Sequence, residues 1–104
     1  MLAVVLLAGT TAASGEQRGQ KPTTHTLTIE GMKFTPATIT VKPGDTVVWV
    51  NKDIVAHTAT ATPDAFNSRA IPPGKSWKHA FKVKGSVDYV CSYHPTMKGV
   101  IRVE

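Results

Sequence analysis

The stretch Cys91-Ser92-Tyr93-His94-Pro95-Thr96-Met97 carries a thiol, an imidazole and a thioether, each three residues from the next. Together they make a soft donor set that favours copper over magnesium or calcium, and it lacks only a second imidazole. Ser86-Val87-Asp88-Tyr89-Val90 before it and Gly99-Val100-Ile101-Arg102-Val103 after it have strand period. The donors therefore sit on a short loop joining two β-strands at one end of a sheet. Taken alone, Cys91 reads as a small buried hydrophobe. It is the chain's single cysteine, so no internal disulfide protects it, and a metal ion is one of the few partners open to it in an oxidising compartment.

Four histidines are available: His25, His57, His79 and His94. His94 is already on the loop. His25 lies on the first strand and His79 between Lys78 and Ala80 on a later one, so both read as surface or structural residues. His57 follows Asn51-Lys52-Asp53-Ile54-Val55-Ala56, a loop that leaves the Trp49 strand and lets the ring reach one end of the fold. It is the preferred fourth donor.

The elements that must position these residues are almost all strand and turn. Leu27 and Ile29 alternate with Thr26, Thr28 and Glu30, and Ile39 and Val41 with Thr38 and Thr40. Lys42-Pro43-Gly44-Asp45 matches a type II turn, with proline second and glycine third. Thr46 to Asn51 is more continuously apolar, as a central strand should be. His57 to Thr62 reads as a weaker strand, residues 63–74 as the longest irregular stretch, and Ser76 to Val83 as a further strand. No window has a helical period with a capping box behind it. About seven or eight short strands separated by turns predict an all-β sandwich. Trp49, Trp77, Phe34, Phe66 and Phe81 are assigned to its core.

Residues 1–14 read as an export signal. Leu2 to Ala8 is the apolar core and Ala12-Ala13-Ser14 offers small residues for cleavage before Gly15, although no charged residue precedes the core. The run falls short of the roughly 20 apolar residues of a membrane span. Thr10 stands where an acylated protein needs cysteine, so no membrane anchor is expected. Residues 15–23 form a polar tail and 24–104 the folded domain. The expected product is an exported, periplasmic, soluble monomer. Its 12 Lys and Arg against 7 Asp and Glu give a formal charge of +5. Lys33, Lys42, Lys52, Lys78 and Lys82 are scattered through the chain and no nucleic-acid motif accompanies them, so a solvated basic face fits better than nucleic-acid binding.

The order His57 … Cys91-x-x-His94-x-x-Met97, near the end of a small exported all-β chain, resembles the cupredoxins, the mononuclear blue copper proteins. The short ligand loop leading into Met97-Lys98-Gly99-Val100-Ile101-Arg102-Val103-Glu104 is most similar to the amicyanin group; plastocyanins and pseudoazurins have longer loops. The likeness extends over roughly residues 24–104, including Val41 to Asn51 and Asp88-Tyr89-Val90-Cys91. It implies a Greek-key sandwich holding one type 1 copper ion between His57, Cys91 and His94, with Met97 as a long axial ligand. It also implies one-electron transfer through the His94 edge, with Pro95, Met32, Phe34, Ile54 and Tyr93 around it. The partners implied are transient redox proteins, such as a dehydrogenase donor and a cytochrome c acceptor.

Zinc also accepts Cys and His, but a thioether is a poor fourth ligand for it. A paired-copper site needs two cysteines. An enzyme using Cys91 and His94 as nucleophile and base lacks an oxyanion donor and an orienting third residue. A copper-storage, delivery or sensing module would share the same ligands and differ in how readily it exchanges metal.

Two residues depart from the family pattern. Thr58 stands where many cupredoxins have asparagine, and its hydroxyl is expected to take over part of the bracing of the ligand loop. Tyr93 stands where amicyanins often have proline, so its N–H is expected to donate to the Cys91 sulfur and raise the reduction potential.

Overall fold

A computed structural model describes residues 21–63 and 65–104. The export signal expected at 1–14 and residues 15–20 of the expected tail lie outside the described residues.

Eight strands follow in order: β1 (Thr24–Ile29), β2 (Phe34–Thr35), β3 (Thr38–Val41), β4 (Asp45–Asn51), β5 (Thr60–Ala61), β6 (Ser76–Phe81), β7 (Gly85–Cys91) and β8 (His94–Val103). They form two four-stranded sheets, ordered β2-β1-β4-β6 and β3-β8-β7-β5. Neither order follows the sequence, as expected for the crossing connections of a Greek-key sandwich. β1 runs parallel to β4 and β3 parallel to β8; the other pairs are antiparallel. The described residues contain no helix.

β4 shows how the sequence builds the core. Val47, Trp49 and Asn51 point inward while Thr46, Val48 and Val50 are half-buried, because β1 and β6 cover both edges. Trp49 is fully buried and lies 5.5 Å from each of Phe66, Trp77 and Tyr89, ring centre to ring centre. The assigned core aromatics are therefore inside, with Trp77 half-buried at the edge. Gly99 is buried opposite Tyr89, whose ring occupies the space a Cβ would need, so a side chain at 99 displaces the tyrosine.

The turn at Lys42–Asp45 has the predicted form. Gly44 takes φ +97 and the Asp45 N–H donates to the Lys42 carbonyl at 2.9 Å. The stretch His57–Thr62 is less regular than its alternation implies. Only Thr60–Ala61 joins a sheet, and His57 forms an isolated bridge to Ile71. That leaves His57 beside the sheet rather than in it.

Candidate metal centre

β7 ends at Cys91 and β8 begins at His94, so Ser92 and Tyr93 form a two-residue connection across which Cys91 and His94 pair directly. The next pair is Val90 with Lys98. Pro95, Thr96 and Met97 consequently have no partner on β7 and form a bulge in β8, which breaks the alternation of a regular strand. Met97 ends in the buried core. The third element is the segment from β4 to His57, pinned by Asn51 at the end of β4. Asn51 is fully buried; its Nδ2 donates to the carbonyls of Val55 and Ile71, and its Oδ1 accepts the Asp53 N–H.

These elements bring three donors together. The ligand atoms of His57, Cys91 and His94 all lie within 4.8 Å of one another. Cys91 Sγ is 3.6 Å from His57 Nδ1 and 3.9 Å from His94 Nδ1. A sulfur and a nitrogen bound to one first-row ion at about 2.3 and 2.0 Å sit roughly 3.5–3.7 Å apart. The separations are thus close to those of donors sharing one ion, and the set of one thiolate and two imidazoles fits copper. His57 and Cys91 are completely buried and His94 is half-buried. His25 and His79 stay away from the cluster: His25 pairs with Asp45, and His79 stacks on Trp77. Burial lowers the His79 pKa, consistent with a structural ring.

A residue profile for copper-binding proteins of the plastocyanin/azurin family matches residues 22–104. The chain belongs to this family. It is 35% identical over 81 residues to an amicyanin of Paracoccus versutus, covering 73% of this chain and 61% of that one. It is 32% identical over 84 residues to a plastocyanin of Scenedesmus fuscus, covering 68% and 86%. The crystal structure of amicyanin from Paracoccus versutus superposes with a TM-score of 0.71 at 34% identity, covering 78% of this chain and 81% of that one. Against the full lengths of the Paracoccus versutus and Paracoccus denitrificans amicyanins, the chain spans 61 and 62%.

Around the donors, the two departures from the family pattern turn out differently. Thr58 does brace the loop: its hydroxyl accepts the Ser92 N–H at 2.8 Å and contacts the Ser92 and Thr60 hydroxyls at 3.1 and 3.0 Å. The expectation for Tyr93 is not met. The backbone N–H that reaches the Cys91 sulfur is that of Thr58, at 3.3 Å, and Tyr93 makes no such bond. The sulfur faces inward between the two imidazoles, whereas Tyr93 sits on the outer side of the turn, 53% exposed. Phe34 meets one of its two expectations. It is buried in the core against Tyr89, ring centres 4.6 Å apart, and so does not form part of the exposed apolar surface expected around His94; Met32, Ile54 and Tyr93 are exposed.

Two contributors carry little sequence signal. Asn51 reads as the polar end of an apolar strand. Asp53 reads as a loop residue, yet its Oδ2 lies 2.8 Å from His57 Nε2. Its spacing of four from His57 was the only clue available.

Proposed function

We propose that this protein is a small one-electron carrier with copper held by His57, Cys91, His94 and Met97. The observation that carries the reading is the convergence of two imidazole Nδ1 atoms on a buried, unpaired cysteine sulfur. Copper, when bound, exchanges one electron between its cuprous and cupric forms. The chain's own residues do the rest. Cys91 supplies the anionic sulfur, and the Thr58 N–H directed at it stabilises that charge. Burial of Cys91 and His57 keeps water from the donors. The Thr58–Ser92 bond fixes the turn, so the donors stay arranged when the charge at the site changes.

His94 is the proposed electron port. It is the only half-exposed member of the three clustered donors; Tyr93 beside it in the turn, and Met32 and Ile54 on the segments that Asp53 ties to His57, leave apolar surface exposed. Such a surface suits brief docking with redox proteins, for which a dehydrogenase donor and a cytochrome c acceptor are the proposed classes. The buried sulfur favours a carrier over an enzyme, because no substrate reaches it, and over a delivery module, which must release its metal readily. Export to the periplasm through residues 1–14, with a monomeric domain over 24–104, completes the proposal. No helix among the described residues is long and apolar enough to cross a membrane.

Adding copper(II) to the purified apoprotein tests the reading. An intense blue thiolate-to-copper band is expected, with metal retained through repeated reduction and reoxidation. Absence of the band, or its survival in Cys91→Ser, overturns the assignment.

A further inference from the structure

Asp53 lies at the centre of a contact set that the proposed ligands do not account for. Its Oδ1 accepts the Gly31 N–H at 2.8 Å, and its Oδ2 accepts the Met32 N–H at 3.0 Å. Gly31 and Met32 both have left-handed backbone, φ +65 and +60. Successive N–H groups in such a turn form a concave anion-binding nest. The left-handed region is uncommon for a residue with a side chain, so Met32 is held there against its preference. The same Oδ2 lies 2.8 Å from His57 Nε2, and His57 is fully buried. Each Asp53 oxygen thus accepts a backbone N–H, an arrangement that suits the ionised carboxylate. A carboxylate only accepts hydrogen bonds. The proton shared with it must therefore be on His57 Nε2, which leaves the Nδ1 lone pair facing Cys91 Sγ at 3.6 Å.

We propose that Asp53 is a positioning residue for the metal centre: clamped by the Gly31–Met32 turn, it fixes the His57 tautomer and lends negative charge to that ligand. The device joins the β1–β2 turn to the β4 exit loop, some twenty residues further on, and to the ligand four residues along that loop. Its effect on a bound metal rests on the copper reading above; its effect on the His57 tautomer does not. A carboxylate behind an imidazole makes it more basic and favours the more highly charged metal. Removing the charge should weaken cupric binding more than cuprous binding and raise the potential.

The test begins on the copper-free wild-type protein. Nitrogen NMR of the His57 ring is expected to show the proton on Nε2 and none on Nδ1; a proton on Nδ1 overturns the proposal. In Asp53→Asn the ring is expected to lose this fixed tautomer and to populate both. In the copper-loaded protein the same variant should bind copper(II) about 10–100-fold more weakly. Its potential should rise by about 59 mV for each tenfold by which cupric affinity falls more than cuprous affinity. Asp53→Glu, which keeps the charge, should recover a large part of both. An unchanged tautomer and potential in Asp53→Asn reject the proposal even if copper binds normally. Failure of the wild-type protein to bind copper rejects the copper reading and leaves the tautomer result standing. If Asp53→Asn does not fold, the wild-type ring spectrum and Asp53→Glu still decide.

Discussion

At the scale of single residues, the centre depends on groups that never touch a metal. Thr58 serves it twice, through its backbone N–H to the Cys91 sulfur and through its hydroxyl to the Ser92 N–H. Only the second depends on the side chain, so the two roles separate by mutation. Thr58→Val keeps the shape and the backbone bond but leaves the Ser92 N–H without an acceptor. Ser92 is exposed, so water partly replaces the bond, and its loss costs about 0.5–1.5 kcal/mol. Urea unfolding should therefore show Thr58→Val destabilised by about that amount, with Thr58→Ser close to the wild-type protein. Equal stability of the valine variant and the wild type would mean that the hydroxyl does not brace the loop.

At the scale of elements, the site lies where a strand exit loop meets a tight hairpin. The hairpin was legible in the sequence: Cys91, His94 and Met97 sit between two alternating runs, and no other stretch combines such donors. The strands with regular alternation, β1 and β3, the continuous apolar run of β4 and the turn at Pro43-Gly44 were equally readable. β2 was not, because Phe34 and Thr35 are too few to show a period, and Phe34 was therefore assigned both to the core and to the surroundings of His94. Nor were the parallel pairings of β1 with β4 and β3 with β8, since a register between distant segments leaves no local mark. The exit loop was the least legible part. Asn51 has the composition of a strand end, but its three hydrogen bonds fold residues 51–55 back and hold them against Ile71. Asn51→Ala would remove all three and leave buried partners unpaired. The expected loss is about 2–4 kcal/mol. With a urea dependence of about 2 kcal/mol per molar, the unfolding midpoint should fall by roughly 1–2 M. A fall within experimental error would show that the loop is held by packing alone.

At the scale of the whole molecule, the end of the sandwich away from the metal centre sets how the fold meets acid. Asp45, on the turn into β4, accepts from the Thr23 N–H at 2.8 Å, the Lys42 N–H at 3.0 Å and His25 Nε2 at 2.9 Å. The Thr23 N–H, then His25 and the Lys42 N–H, hold its pKa down to about 2, against 3.8 for a free carboxyl. A carboxyl depressed by folding stabilises the native state above its unfolded pKa, and the benefit disappears as pH falls through the folded one. The stability contributed by the ionised Asp45, read as the gap between the wild-type protein and Asp45→Asn, should therefore be present in full at pH 5. It should shrink between pH 4 and 2, as chemical unfolding at a series of pH values would show. A gap unchanged down to pH 2 would assign the effect of Asp45 to shape.

Charge acts at the other end as well. The chain carries +5, and Lys33, Lys52 and Arg69 are exposed on segments tied to the site. Lys33 follows the Gly31–Met32 nest, the Lys52 N–H donates to the Ile29 carbonyl, and Arg69 lies two residues before Ile71, the bridge partner of His57. A partner with an acidic docking face would be drawn to the His94 end over distances longer than the apolar contact itself reaches. Such steering is screened beyond about 8 Å at physiological ionic strength. The bimolecular rate constant for electron exchange with an acidic redox protein should fall as salt rises from 10 to 300 mM, and Lys52→Gln should flatten the slope. The Ile54 surface should behave in the opposite way: Ile54→Ser slows the reaction at every salt concentration and leaves the slope unchanged, because it removes contact area and no charge. A salt-independent rate in the wild-type protein would leave docking to the apolar surface alone.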